Sequence, residues 1–438
     1  MTGGEGIMDM MTMHDYDNEM DLLKQAMLPD DYPPEAKIHM LGDLDKNTLK
    51  QFKKVMNIAD RGALMADGHM GYILPIGGVA AFKGKISPTM VGYDIGCGNN
   101  AIMTSLEPDA IKPVLEQMMD EIYDVIPFGI GKINNKVDKD HAVFEDDAWD
   151  IFPPEVKEKM RDEARAQLGT VGAGNHYVDI FEDNDDCVWI GTHCGSRGFG
   201  WKTCQGFINL IENGDWMKRA KENVCLVDVK SIIGSNYKVA MELAGRYARV
   251  NREVIVDTVL DIIGTDNYKI NEISNHHNFA WNERHLDPTG KFFEDYIVIR
   301  KGSTPNFPDQ LSFVGGSMGD ISVILKGKES VQNRECLYST VHGAGRIMSR
   351  REAAGKYKYK KGKKVKMSEG SISWDMLRQW IGKEGIKLKG GAPDEAPQAY
   401  KRIEEVLKYH SDSVEIETVL RPLGVLMASE FDEDPYKD

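Results

Sequence analysis

A chain of 438 residues, 41% hydrophobic and 28% charged, is too long for one small domain and has the composition of a water-soluble protein with an ample core. A net charge of −15 excludes broad, nonspecific nucleic-acid binding, which depends on neutralising phosphates, but leaves room for a local basic surface. Six cysteines without regular spacing exclude a disulfide scaffold, no apolar run is long enough to span a bilayer, and the acidic, Met-rich N-terminus is not a secretory signal, so a cytoplasmic setting and no membrane are expected.

In chain order, residues 15–30 and 43–60 predict helices. From 61 to 105 the short apolar runs GGVAAF, ISPTMVGYDIG and NNAIMTSL, broken by glycine and proline, predict strands and tight turns. Helices return at 107–126 and at 153–168, the second opened by PPEV. NHYVDIFE and DCVWIGTHCGSRGFG predict two strands, the second ending in a glycine-rich loop. Residues 202–222 and 235–262 predict amphipathic helices, and 271–350 return to strands and loops. Helices and strands come in blocks rather than strict alternation, so the expected class is α+β, with central β-sheets and surrounding helices. A single domain is expected over 1–425, followed by an acidic tail, 426–438, that reads as solvated disorder.

VGYDIGCGNNA sets Asp94 and Cys97 three apart among glycines. Seven of the eleven histidines lie beside glycine or small residues in the strand-and-loop blocks: His69, His176, His193, His276, His277, His285 and His342. Glycine at a strand end allows close approach of backbone to a ligand. Asp, Cys and His together are the ligands of transition metals. There are more of them than one ion needs, and a thiolate can bridge two, so a two-metal site suited to phosphoryl chemistry is expected. His69, His276 and Asp67 read as partners that orient a ligand or as packing residues. His14, His39, His141 and His410 read as surface residues, and Cys187, Cys204, Cys225 and Cys336 as buried thiols.

No Walker sequence is present. VGGSMGDIS and HGAGR are instead glycine-rich loops able to form an anion-binding nest, with Arg197 and Arg346 placed after such turns to clamp phosphate oxygens. KYKYKKGKKVKM carries seven lysines between Lys356 and Lys366, interleaved with Tyr357 and Tyr359. Lys358, Lys360, Lys361, Lys363 and Lys364 are the candidate RNA contacts there.

Eight stretches together resemble the RtcB family of GTP-dependent RNA ligases, which join a 3′-phosphate or 2′,3′-cyclic phosphate end to a 5′-hydroxyl end. They are ADGHMGYILPIGGVAAF, ISPTMVGYDIGCGNNA, LGTVGAGNHYVDI, THCGSRGFG, NHHNFAW, GGSMGDISVIL, STVHGAGRIMSRREA and APQAYKRIEEVL, and they cover about residues 60–425. The resemblance implies an RtcB-like fold with a metal and nucleotide cleft at the strand ends. It implies two manganese ions, one on Cys97, His193 and His277 and one on Asp94, Cys97 and His176; ligand softness alone suggests zinc. His342 is implied as the nucleotide acceptor, forming a His–GMP intermediate. Nucleotide contacts are implied at Asn175, Asp179, Asn278, Gly315, Gly316, Ser317, Met318, Ser322, Gly343, Ala344, Gly345 and Tyr400. The implied partners are GTP and RNA with 3′-phosphate or cyclic phosphate and 5′-hydroxyl ends, in tRNA splicing or RNA repair, with an activating protein left open.

Two departures stand out. Asp179 replaces the family's glutamate, and Met427 occupies the slot of a lysine that meets the base, which opens the choice between GTP and ATP. The altered C-terminus also motivates an alternative, a metal-dependent phosphatase or cyclic phosphodiesterase without nucleotidylation. A non-catalytic RNA-binding role is a third, suggested only by the lysine run.

Overall fold

The computed structural model describes residues 38–430 apart from 222, 265–270, 288 and 361–362. The helix expected over 15–30, His14, Lys361 and the tail beyond 430 lie outside the described residues. No helix among the described residues is long and apolar enough to cross a membrane.

Two sheets organise the molecule. Their strands in chain order are β1 (Ile38–Met40), β2 (Arg61–His69), β3 (Ile76–Phe82), β4 (Gly98–Met103), β5 (Tyr177–Glu182), β6 (Val188–Cys194), β7 (Asn271–His276), β8 (Asn278–Leu286), β9 (Phe293–Lys301), β10 (Leu311–Val314), β11 (Ser322–Gly327), β12 (Lys387–Gly391) and β13 (Val414–Ser429). The smaller sheet has the order β1-β2-β3-β9-β8, antiparallel except for β1 beside β2. The larger runs β10-β11-β13-β5-β6-β4-β7 and is antiparallel throughout, with β12 added parallel to β13. The α+β expectation agrees with this arrangement. Its blocks of strands are the sheets, and its blocks of helices cover them.

Burial explains why the larger sheet's runs are apolar without alternation. β6 is buried along its whole length. On one face Val178, Ile180 and Ile190 meet Ile255 and Val259. On the other, Tyr177, Phe181 and Trp189 meet Phe313, Met318 and Met427. Each such aliphatic side chain contributes about 1.5–3 kcal/mol when fully removed from water.

The main helices are α1 (Lys46–Met56), α2 (Pro88–Val91), α3 (Leu115–Val125), α4 (Pro154–Gln167), α5 (Arg197–Asn213) and α6 (Ile232–Ile263). Asp45 caps α1 by accepting from the backbone N–H of Asn47 at 2.8 Å and of Thr48 at 3.0 Å. Ser231 caps α6 at Gly234, and Gly264, left-handed at φ 75°, ends it. The helix expected over 202–222 is displaced. It starts at Arg197 inside the glycine-rich stretch and ends where Gly214 turns left-handed. Those glycines mark close packing rather than a loop: a Cβ at Gly200 would fall 3.2 Å from the backbone N of Ile95.

Three further expectations are corrected. β13 runs past 425 to Ser429, with Met427 paired to Tyr177 of β5, because Leu426, Met427 and Ala428 are buried. The acidic tail therefore does not begin at 426. His410, expected at the surface, is fully buried beneath β2, where its Nε2 accepts from Ala66 N at 3.3 Å. Its charged sequence neighbours hide this. Cys187 is only half-buried, whereas Cys204, Cys225 and Cys336 are buried as expected.

Candidate active site

The strand ends of the two sheets converge. His277 is the single residue between β7 of the larger sheet and β8 of the smaller, so the chain leaves one sheet for the other at this imidazole. Asp94 and Cys97 stand in the turn between α2 and β4. Gly96 in that turn needs φ 71° and lies so close to α6 that a Cβ would sit 2.9 Å from Gly245 Cα. His176 immediately precedes β5, and His193 is the penultimate residue of β6.

All five sequence-predicted ligands meet. Cys97 Sγ lies 3.4 Å from His176 Nε2 and 3.3 Å from His193 Nε2. The Nε2 atoms of His193 and His277 are 3.2 Å apart, and His176 Nε2 is 3.2 Å from Asp94 Oδ2. Cys97, His176 and His193 form a buried group able to hold a metal ion. The tautomers agree with that use. His176 Nδ1 faces the Val171 carbonyl at 3.1 Å and His193 Nδ1 the Asn175 carbonyl at 3.0 Å, so each Nδ1–H donates outward and each Nε2 lone pair points inward. His193 Nε2 thus turns a lone pair toward Cys97 and His277, where a cation would be bound. The residues present therefore fit a metal centre.

Electrostatics favour the same state. Burial, followed by the neighbouring histidines, pushes the His193 and His277 imidazoles well below their ordinary range and keeps them neutral. Burial, followed by Asp94, pushes the Cys97 thiol up, a cost that thiolate–metal bonding would offset. Burial works to raise the Asp94 carboxyl, but its His176 and Arg197 neighbours hold it below its usual range. Ser196 N donates to Asp94 Oδ1 at 3.1 Å, and a Cβ at Gly195 would collide with that oxygen. Arg252, fully buried on α6, braces the site by donating to the carbonyls of Gly96 and Cys194, both at 3.0 Å. It also contacts His276 Nδ1 at 3.2 Å, so His276 belongs to the support rather than to the ligand group.

His342 stands beside this group, its ring centroid 4.9 Å from that of His277. Its Nδ1 lies 2.7 Å from Oδ2 of the fully buried Asp67. The same oxygen accepts from the backbone N–H of His342 at 3.1 Å and of Gly343 at 3.4 Å. Nδ1–H is thereby committed to Asp67, and Nε2 keeps its lone pair free for attack.

Of the expected nucleotide contacts, the loop after His342 lies beside a second glycine-rich loop. Gly315 bridges to Gly343, which brings the two glycine-rich loops side by side. Ser322 Oγ accepts from Gly316 N at 3.0 Å. Asn278, which opens β8, accepts from Gly302 N at 2.8 Å just beyond the paired end of β9. Met318 is buried with Tyr177 and Met427. Asp179 is buried on β5, its Oδ1 has no hydrogen-bond partner, and burial pushes its carboxyl well above the usual range. Tyr400 OH accepts from Arg346 Nη1 at 2.8 Å and also meets Glu395. The two arginines differ. Arg197 reaches His176 Nδ1 at 3.4 Å, whereas Arg346 is turned inward onto Glu395 at 3.1 Å and the Asp394 carbonyl at 2.7 Å. The backbone of the lysine run forms a hairpin of Lys356–Lys360 against Lys363–Ser368.

Sequence reasoning missed Lys301, Arg252 and the carboxylate Glu395, which bridges Arg346 and Arg350. Lys301 ends β9 with only 4% of its surface exposed and donates to the Tyr72 carbonyl at 2.6 Å. Its one signal is a cation closing an apolar strand run. Asp67, expected from the sequence to orient a ligand or to pack, is placed against His342 Nδ1.

Comparison with known proteins bears on this geometry. The family model "tRNA-splicing ligase RtcB" matches residues 48–428. The chain is 28% identical to the tRNA-splicing ligase RtcB of Archaeoglobus fulgidus over 91% of this chain and 96% of that protein. It is 32% identical to the RNA-splicing ligase RtcB of Escherichia coli K12 over 82% of this chain and 88% of that protein. It is 28% identical to the tRNA-splicing ligase RtcB of Thermococcus kodakarensis over 83% and 86%, respectively.

Proposed function

The chain belongs to the RtcB family, and from that membership we propose that it is an RNA ligase that seals 3′-phosphate or 2′,3′-cyclic phosphate ends to 5′-hydroxyl ends through a nucleotidyl intermediate on His342. The observation that carries the reading is the placement of His342, its Nδ1 held by Asp67 at 2.7 Å and its ring 4.9 Å from that of His277.

In this reading Asp94, Cys97, His176, His193 and His277 would hold two manganese ions, which when bound would offset the negative charge of the reacting phosphates. The His342 Nε2 lone pair attacks the α-phosphorus of GTP, the bond to the bridging oxygen breaks, and pyrophosphate leaves. Asp67 holds the proton on Nδ1 and stabilises the positive charge that forms on the ring. GMP then passes to an RNA 3′-phosphate oxygen, breaking the N–P bond. The 5′-hydroxyl oxygen attacks the activated phosphorus, and GMP leaves. A cyclic phosphate is first opened by water. Asn175, Asp179, Asn278, the loops Gly315–Met318 and Gly343–Gly345, Ser322 and Tyr400 form the nucleotide subsite. Arg197 and the lysine hairpin meet RNA, and the setting is the cytoplasm.

The test is incubation of the protein with Mn²⁺ and α-labelled GTP or ATP. Label should stay on the protein and vanish in His342→Ala. Comparison of the two nucleotides reads the base choice left open by Met427. If neither nucleotide leaves label, the ligase reading fails in favour of a phosphatase or cyclic phosphodiesterase.

A further inference from the structure

Of the three transfers in the proposed reaction, only the last attacks with a group that must lose a proton. His342 attacks through a lone pair that Nε2 already holds, and an RNA 3′-phosphate oxygen is ionised at neutral pH. The 5′-hydroxyl carries its proton, so sealing needs a base that the first two transfers do not. Asp67 is fully buried and engaged with His342 and Gly343. The five metal-ligand side chains face one another.

An imidazole with an uncommitted nitrogen stands on the His342 side of β2. His69 ends that strand two residues after Asp67. It pairs with Ile76 of β3, and directly opposed residues of an antiparallel pair project from one face. A Cβ built on Gly302 would run into the Ile76 side chain and sit 3.1 Å from His342 Cε1, so Ile76 and the His342 ring flank the same glycine. His69 Nδ1 lies 3.1 Å from the Asp67 carbonyl oxygen, an arrangement in which Nδ1–H donates and Nε2 carries the lone pair. That Nε2 has no hydrogen-bond partner among the described residues, and the ring is half-buried beside Met70, which is 54% exposed. Burial, opposed by the bond to the Asp67 carbonyl and reinforced by the charge of His342 and Arg346, pushes the ring down to about 4 and keeps it neutral. Negative phosphates brought to the site work in the opposite direction, so the base gains strength when substrate is in place. We propose that His69 Nε2 is the general base for sealing: it takes the proton of the RNA 5′-hydroxyl while that oxygen bonds to the activated phosphorus and the bond from this phosphorus to the GMP oxygen breaks. GMP leaves with the electron pair of the broken bond, and the imidazolium returns its proton to solvent. The proposal rests on the ligase reading for its substrate and adds the identity of the sealing base.

The test uses the full chain with Mn²⁺, α-labelled GTP or ATP, a donor RNA with a 3′-phosphate and an acceptor RNA with a 5′-hydroxyl. One quenched time course follows labelled protein, nucleotidylated donor and joined RNA. His69→Gln and His69→Asn keep a polar head that cannot take up a proton. Each should label His342 within a few-fold of wild type, build up nucleotidylated donor and join about a hundredfold more slowly. Labelling at that rate also shows that the variant is folded, because it depends on the Asp67–His342 pair. Variants that join at the wild-type rate would overturn the proposal. So would a loss of label that matches the loss of joining in both variants, which would make His69 a support of that pair. The two readings fail separately. A wild-type chain that takes no label ends the ligase reading and this proposal with it. A wild-type chain that labels and joins, with His69 variants that do so equally fast, ends the proposal alone.

Discussion

His342 and Asp67 are 275 residues apart in sequence, and the His342 ring meets the Asp67 carboxylate in a hydrogen bond of 2.7 Å. That bond decides which ring nitrogen keeps its lone pair. Asp67→Asn conserves shape but removes the charge, and its amide N–H₂ can donate to Nδ1, which stabilises the tautomer whose Nε2 carries the proton. Single-turnover labelling by α-labelled nucleotide should then slow by about a hundredfold, the order of one missing acid–base partner. Metal analysis should show the ion content unchanged, since the Asp67 carboxylate is engaged with His342 and Gly343 rather than with the five ligands. A variant that labels at the wild-type rate would show that the ring is oriented by something else. At this scale the sequence was informative about residue type and silent about pairing. Asp94, Cys97 and the glycine-flanked histidines are legible because few structural roles need that chemistry beside glycine. Lys301 is not, and Asp67 is legible only as a group that orients a ligand or packs, because nothing local says which distant residue a carboxylate or ammonium serves.

At the scale of elements, α5 and the lysine hairpin show the two ways in which local pattern and outcome part. The stretch that opens α5 is rich in glycine and reads as a loop, yet it is the first turn of a helix, because close packing on the Asp94–Cys97 turn leaves no room for side chains. Conversely, the Asn213–Gly214 pair that ends α5 is a local signal, a left-handed cap, and it stops the helix well short of 222. The hairpin of Lys356–Lys360 and Lys363–Ser368 offers a prediction at its own scale. Serine at positions 358, 360, 361, 363 and 364 should weaken RNA binding and flatten its salt dependence, the slope falling by about 0.7 for each single-strand phosphate that is no longer neutralised. Titrating RNA affinity against salt checks this. An unchanged slope would mark the hairpin as a solvated edge.

At the scale of the whole molecule, the two sheets share a buried apolar cluster in which Val79 and Val298 of the smaller meet Val323 and Leu325 of the larger, and the buried His410 adds a polar consequence. Burial pushes its imidazole down to about 4 from an ordinary 6.5. Its Nε2 accepts from Ala66 N, so protonation there would break a buried hydrogen bond between the C-terminal segment and β2. Below 6.5 the unfolded chain takes up a proton that the folded chain refuses until about 4. Stability should therefore fall as pH drops through that window, by about 1.4 kcal/mol per unit for this group. Urea unfolding at pH 7 and pH 5 checks the sign, and His410→Gln should lessen the difference. The sequence by itself determined the α+β class and the Asp, Cys and glycine-flanked His side chains that meet at the strand ends, because periodicity, glycine spacing and rare side-chain chemistry are local properties of the chain. Only the tertiary structure decided that His277 sits where the chain passes between sheets, that Asp67 reaches His342, that Arg346 turns inward and that β13 carries Met427 into the core. Each of these depends on which distant strand ends are brought together, and that is settled by burying two sheets against shared helices and loops rather than by any neighbour in sequence.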